Sequence, residues 1–167
     1  MCYYLGNIIF VYSKMLINNL TSTDFFRKLN TKRTVQDDLT FGYANETQIL
    51  NKLNSTFFDT FRNTKELYGE FCNYDFEGLT GNKIEMKSRR NKYRDFPTTI
   101  IPVHKCINQN SPNIFVFQFT DGIYYIAYDE NKFNDYEMKT IVSNRADKNE
   151  SKLHYFIPID DLIQMQI

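Results

Sequence analysis

Asp75, Glu85 and Lys87 are the residues of this chain whose types and spacing best suit chemistry. Two carboxylates and an ammonium in one place can hold a hard divalent cation, which takes one or two carboxylates together with waters and phosphate oxygens. Beside it they leave a group able to steady or move a proton. Whether they meet depends on the run from Tyr74 to Arg90. Two strand-like stretches there flank a Thr80-Gly81-Asn82 turn, and in the second Ile84, Met86 and Ser88 alternate with Glu85, Lys87 and Arg89. A period of two is that of a strand with two faces, so Glu85 and Lys87 point the same way.

The turn sets the register. A three-residue hairpin loop places a type I turn before a glycine in the left-handed region. Read as Leu79-Thr80-Gly81, the loop puts Gly81 at that position and pairs Gly78 with Asn82. Counting back, Asp75 falls opposite Glu85, with Cβ atoms about 4.5–5.5 Å apart. Carboxylates that close repel unless a cation or a proton lies between them. A different loop length makes the pair diagonal, and the plain alternative is a Glu–Lys pair on a solvated strand face.

An aspartate, nine residues, a glutamate, one residue and a lysine resemble the signature of the PD-(D/E)xK nuclease superfamily, which has the restriction-endonuclease-like fold. Tyr74 stands where the superfamily usually has proline, a departure that removes no ligand. The resemblance implies that Asp75 and Glu85 hold Mg²⁺, with Mn²⁺ able to substitute and the Met86 carbonyl as a third ligand. It implies that Lys87 orients or deprotonates the attacking water.

Glu46 joins this set through a helix expected over residues 43–58. Glu46, Leu50, Leu53 and Phe57 are spaced four, three and four, forming one stripe that is apolar except at Glu46. A carboxylate on a core-facing stripe needs a partner. It can also sit in the first turn, favoured by the helix dipole and solvated. Many members of the superfamily carry a glutamate on the helix before the aspartate strand, and Glu46 matches it as a catalytic or metal-holding residue.

Five of the eight residues from Lys87 to Arg94 are basic. In the nuclease reading Arg89, Arg90, Lys92 and Arg94 contact backbone phosphates, which gives affinity without sequence reading. Phe96-Pro97-Thr98 and the later Lys105 resemble phage and large-DNA-virus members, in several of which a Lys or Gln on the following helix faces the scissile phosphate. Thr98 or Thr99 can cap that helix, with Pro102 in its first turn. For any single lysine, solvation is the plainer reading.

Around these residues the chain must build a sheet. Ile114–Phe119 and Ile123–Tyr128 flank Asp121-Gly122, a two-residue hairpin whose near-continuous apolar strands belong at the sheet's centre. Residues 59–71 read as a loop anchored by Phe61, Leu67 and Phe71. Asp37-Asp38 read as a solvated turn, and Thr21–Asp24 as the cap of a short helix with Phe25, Phe26 and Leu29. Residues 139–143 and 153–159 read as strands, Arg145 to Lys152 as a polar loop, and residues 160–165 as a short terminal helix.

The chain has 167 residues, enough for one domain. Twenty Lys and Arg balance twenty Asp and Glu, which argues against a non-specific nucleic-acid coat protein but permits a local basic patch. Cys2, Cys72 and Cys106 are odd in number and scattered, so neither a disulfide framework nor a zinc site is implied. A His104–Cys106 nucleophile pair is less plausible than two unrelated side chains. The cysteines suit a reducing intracellular compartment, the cytoplasm of a host cell if the chain is viral. The apolar stretch from Tyr3 to Tyr12 is shorter than the roughly 20 residues a membrane span needs. Residues 1–20 are expected as a peripheral or poorly ordered leader, and no membrane partner is implied.

The element order gives an α/β fold with a central mixed β-sheet flanked by helices, and the resemblance makes it a restriction-endonuclease-like core over residues 40–130 of a single domain. The expected function is a Mg²⁺-dependent deoxyribonuclease, an endonuclease, with DNA as partner and homodimerisation compatible with it. The alternatives are a catalytically decayed nucleic-acid- or protein-binding domain of the same fold, and an RNA endonuclease.

Overall fold

The computed structural model describes residues 33–69, 72–107 and 110–166. The leader, the short helix around Phe25 and Phe26, Cys2 and the anchor Phe71 lie outside the described residues. Residues Thr34–Ile167 form one compact unit.

Helix α1 spans Val35–Phe57, starting well before the stretch expected to be helical. Its start is written in Thr34 and Asp37. The Thr34 hydroxyl accepts from the Asp37 N–H at 3.1 Å, and the Asp37 carboxylate accepts from the Thr34 N–H at 2.9 Å, a reciprocal capping box. Asp37-Asp38 therefore open a helix rather than form a turn, where their charge suits the helix dipole. One face of α1 buries Glu46, Ile49 and Leu53. Ile49 and Leu53 are at most 1% exposed, each contributing about 1.5–3 kcal/mol by burial.

Residues 59–71, expected as a loop, supply strand β1 (Phe61–Asn63) and helix α2 (Thr64–Tyr68). Strands β2 (Phe76–Gly78) and β3 (Lys83–Ser88) form the expected hairpin. Then follow β4 (Thr98–Pro102), a 3₁₀ turn at Val103–Lys105, β5 (Ile114–Phe119), β6 (Gly122–Ala127) and helix α3 (Glu130–Asn134). Strands β7 (Glu137–Asn144) and β8 (Asn149–Pro158), a 3₁₀ turn at Ile159–Asp161 and β9 (Ile163–Gln164) complete the chain.

Six strands make a mixed central sheet in the order β1-β2-β3-β5-β6-β9, with β3 and β5 parallel. A second, antiparallel sheet has the order β4-β8-β7. The fold is thus mixed α/β, with α1 on one face of the central sheet and, on the other, the second sheet together with the short helix α3. Ile84, Met86, Ile114 and Val116 pack with Ile49 and Leu53 of α1. Phe115, Phe117 and Phe119 on the other face pack with Ile101, Tyr155 and Ile157 of the second sheet and Phe133 of α3.

Four local expectations change. Thr98–Pro102 is a strand, not a capped helix. Four β-branched residues in a row favour a pleat, Thr99 and Ile101 alternate into the core, and Pro102 is tolerated because β4 is an edge strand. Residues 160–165 are a turn and a short strand. Leu162 and Met165 enter cores on opposite faces of the central sheet, which residues three apart on one helix do not do. The polar loop is confined to residues 145–148, and Asn149 to Lys152 already belong to β8, because β7 and β8 pair up to Asn144↔Asn149. Phe119 pairs with Gly122, so the two-residue turn is Thr120-Asp121, one position earlier than read. Among the described residues no helix is long and apolar enough to cross a membrane.

Candidate functional site

The β2–β3 hairpin holds the register that its loop implies. Gly81 has φ +91°, Gly81 N–H donates to the Gly78 carbonyl at 3.0 Å, and Gly78 N–H donates to the Asn82 carbonyl at 2.8 Å. Asp59 clasps this turn, accepting from the Thr80 hydroxyl at 2.5 Å and from Asn82 Nδ2 at 3.2 Å. A Cβ on Gly78 would lie 2.0 Å from Asp59 Oδ2, so only glycine fits beneath the clasp.

β2 pairs with β3 through Glu77↔Lys83 and Phe76↔Ile84 and then ends. From Glu85 to Ser88, β3 keeps β5 on one side, and among the described residues no strand lines its other edge. The candidate residues gather at this fork. Asp75 N–H donates to the Ile84 carbonyl at 2.9 Å, and Asp75 Oδ2 accepts the Met86 N–H at 2.7 Å. Thr64, fully buried at the start of α2, fixes Asp75 from behind. Its N–H and hydroxyl donate to the Asp75 carbonyl at 2.9 and 3.1 Å.

Glu85 and Lys87 pair with Phe115 and Phe117, so they share the face toward the second sheet. Glu85 is 2% exposed. Its Oε1 takes the Lys87 ammonium, and its Oε2 takes Lys105 Nζ at 3.0 Å. Lys105 stands on the 3₁₀ turn after β4 rather than on a helix, and also donates to the Asn73 carbonyl at 2.8 Å. Glu46 comes from α1, on the opposite face. Lys65 Nζ lies 3.3 Å from its Oε2 and 2.9 Å from the centroid of the Tyr43 ring.

The three carboxylates feel one another. Burial, then the charges of Asp75 and Glu85, push the Glu46 pKa up to about 7, against Lys87 and a hydrogen bond from Asn63. Burial, then Glu85, push Asp75 up to about 6, against Lys87, the Met86 N–H and Lys105. A cation placed among these groups relieves that repulsion. The donors are hard oxygens, the Asp75 and Glu85 carboxylates with the Met86 carbonyl, which leaves a strand on the same edge as its own N–H. That set fits Mg²⁺ or Mn²⁺, which need few protein ligands and keep several waters. Among the described residues no group of three His, Cys, Asp or Glu side chains makes a ready metal site.

The basic run is dispersed rather than gathered on one surface. Arg89 turns inward, bonding Thr99 Oγ1 at 3.2 Å and the Ile100 carbonyl at 2.5 Å. Burial lowers its pKa to about 10. It braces β3 to β4, a structural role that the expected phosphate contact did not include. Arg90 stacks 3.8 Å over Phe41 and pairs with Asp38 at 3.6 Å. Lys92 is exposed, and exposed Arg94 pairs with Asp160 at 3.3 Å. Cys106 is buried, which pushes its thiol up to about 12 and makes it a poor nucleophile.

Lys65, Asn63 and Thr64 were missed because residues 59–71 read as a loop. The signal was there: Asn63 Oδ1 accepts from the Lys65 N–H at 2.9 Å, an ordinary helix cap. Comparison with protein-family models, curated proteins and solved structures finds no match to this chain.

Proposed function

We propose that this chain is a metal-dependent nuclease with a restriction-endonuclease-like core, hydrolysing phosphodiester bonds in DNA. One observation carries the reading. Where β2 leaves β3, Asp75 is bonded to the Met86 N–H at 2.7 Å, Glu85 and Lys87 share one face, and Glu46 lies within electrostatic reach of all three. Asp75 and Glu85 would hold Mg²⁺ with the Met86 carbonyl, and Mn²⁺ would substitute. The chemistry such a cation supplies when bound is polarisation of the phosphate and a lowered pKa for a water. Lys87 steadies the attacking water and offsets charge at phosphorus. Lys105, on the other oxygen of Glu85, holds that carboxylate in place. Glu46, with a pKa near 7, can accept and release a proton at neutral pH.

The test is incubation of plasmid, linear and single-stranded DNA, and RNA, with Mg²⁺, Mn²⁺ or EDTA. Metal-dependent cleavage of DNA is expected, and Glu46→Gln should slow it while leaving the fold intact. Cleavage of RNA alone would make the protein an RNA endonuclease. A second reading, a non-catalytic binding domain of the same fold, has one observation in its favour. Both oxygens of Glu85 are engaged by ammonium groups, from Lys87 and Lys105. No cleavage of any substrate with either metal would establish it over the nuclease.

A further inference from the structure

Two adjoining grooves run from Lys87 to Phe96, the first built largely by the β7–β8 hairpin and β4, the second by β4 and the segment between β3 and β4. That hairpin falls entirely outside the stretch that carries the nuclease resemblance. Along β8, Lys152, His154 and Phe156 alternate onto one face, opposite Ile141 and Lys139 of β7 and Ile100 and Pro102 of β4. The first groove, about 340 Å³, is lined by Lys87, Arg89, Arg145, Lys152 and His154, with Glu150 as its lining carboxylate. The second, about 360 Å³, shares Arg89, Ile100 and Ile141 with the first. Its lining adds Phe96, Phe156 and Tyr93.

The first groove is positive. Its lining sets Lys87, Arg89, Arg145 and Lys152 against the one carboxylate Glu150. Glu150 pairs with Lys152 at 2.7 Å, Lys148 at 3.4 Å and Arg145 at 3.6 Å, and Arg145 also bonds Asp38 at 3.0 Å. His154 donates from Nδ1 to the Lys152 carbonyl at 2.8 Å, leaving Nε2 as its other ring nitrogen. Burial, then the charges of Lys152, Arg89 and Lys87, lower its pKa against that carbonyl. The second groove is aromatic. Phe96 is 58% exposed, and Phe156 is half-buried with the Lys139 ammonium 5.3 Å from its ring centroid. Tyr93 is spent on packing, stacked on Tyr124 at 3.8 Å.

We infer that the two grooves form a track for one unpaired nucleic-acid strand, its phosphates on Lys152, Arg145 and Lys87 and its bases on Phe96 and Phe156. A positive groove beside exposed rings is the arrangement that binds single strands, because phosphates follow the cations and any base has a face to stack. Stacking on a side chain needs an unpaired base. Each groove is the size of a small-ligand pocket, about 300–1,000 Å³, which leaves room for part of one strand. The inference deepens the nuclease reading and rests on it for what is cut, since Lys87 belongs to both the carboxylate cluster and the basic groove.

Fluorescence anisotropy of a labelled oligothymidylate with the whole protein in EDTA tests the track without cleavage. Phe96→Ala should weaken binding roughly 5- to 150-fold, the range for losing one stacked base. Lys152→Gln should flatten the dependence of log K on log salt by about 0.7, one phosphate contact on a single strand. A duplex of the same length should bind more weakly and be indifferent to Phe96→Ala. Circular dichroism melting checks that both variants fold. Wild-type affinity and salt slope in both variants overturn the track, as does a duplex that binds as tightly as the single strand. Strand binding with this pattern but no cleavage under Mg²⁺ or Mn²⁺ supports the track and removes the nuclease reading. DNA cleavage with unaltered variants does the reverse.

Discussion

The Asp75 carboxylate accepts a 2.7 Å hydrogen bond from the N–H of Met86, filling the place that a carbonyl of β2 would take had the strand continued. The same side chain is thus a backbone partner and a candidate ligand. Asp75→Asn keeps an oxygen acceptor for that N–H and removes the charge. Its folding midpoint should stay near wild type while Mg²⁺ binding by calorimetry and DNA cleavage fall together. Asp75→Ala leaves the N–H of Met86, a residue 6% exposed, without its acceptor, at a cost of about 1–3 kcal/mol. Equal stability of the two variants in urea melts would contradict a backbone role for Asp75.

Glu85 is held between two ammoniums. Either lysine alone still leaves it a partner, so Lys87→Met and Lys105→Met should each destabilise the metal-free protein modestly. Together they leave a 2% exposed carboxylate unpaired, which costs about 3–5 kcal/mol. The double variant should lose more than the sum of the singles, and Mg²⁺ should restore part of the loss. In activity assays Lys87→Met should lower cleavage by roughly 10²–10⁴-fold, as for loss of a positioned acid–base group, with metal binding kept or strengthened. Undiminished cleavage in Lys87→Met would mean that catalysis lies elsewhere.

The hairpin was legible in the sequence because its signals are local. Gly81 in the left-handed region and the alternation from Ile84 to Ser88 fix the register without reference to the rest of the chain. The β5–β6 hairpin was legible for the same reason, although Gly122, read as a turn residue, proved to be the first residue of β6. Of the second sheet, β7 and β8 were legible as the strands read at 139–143 and 153–159, but their joining with β4 was not. Its β4 looked like a capped helix because Thr98, Thr99 and Pro102 suit both a helix start and an edge strand, and its pairing with β8, over fifty residues away, decides the matter. The bracing role of Arg89 was not legible because sequence shows a charge and not its surroundings. Its hydrogen bonds run to Thr99 and Ile100 of that unforeseen strand.

Arg89 and Arg94 should accordingly separate in stability. Arg89→Met removes the donor that serves the Ile100 carbonyl at 2.5 Å and Thr99 Oγ1 at 3.2 Å, and should cost about 1–3 kcal/mol. Arg94→Gln breaks an exposed pair with Asp160 and should change stability by no more than about 0.5 kcal/mol. Urea denaturation of the two variants makes the comparison. If Arg89→Met melts with wild type, the brace between β3 and β4 is unimportant, and Arg89 becomes available again as a phosphate contact.

The last prediction concerns pH. Glu46 has an ordinary pKa of 4.5 that burial, Asp75 and Glu85 raise to about 7 in the folded chain. Between those values the folded state holds a proton that the unfolded state has lost, so this group's contribution to stability falls as pH rises through the window. Asp75, raised from 3.8 to about 6, slopes the same way. His104 and His154 are lowered from 6.5 chiefly by burial, and so slope the opposite way up to that value. Glu46→Gln keeps both histidines and isolates the carboxyl. In EDTA, the wild-type melting midpoint relative to that of Glu46→Gln should drop by a few degrees between about pH 5 and pH 8, since about 1 kcal/mol moves a domain of this size by roughly 2–4 °C. Adding Mg²⁺ should raise the wild-type midpoint more at the higher pH, where the carboxylates are ionised and the cation need not displace protons. Parallel pH profiles for the two proteins would place Glu46 outside the charge cluster, and a Mg²⁺ effect independent of pH would place the cation away from Glu46 and Asp75.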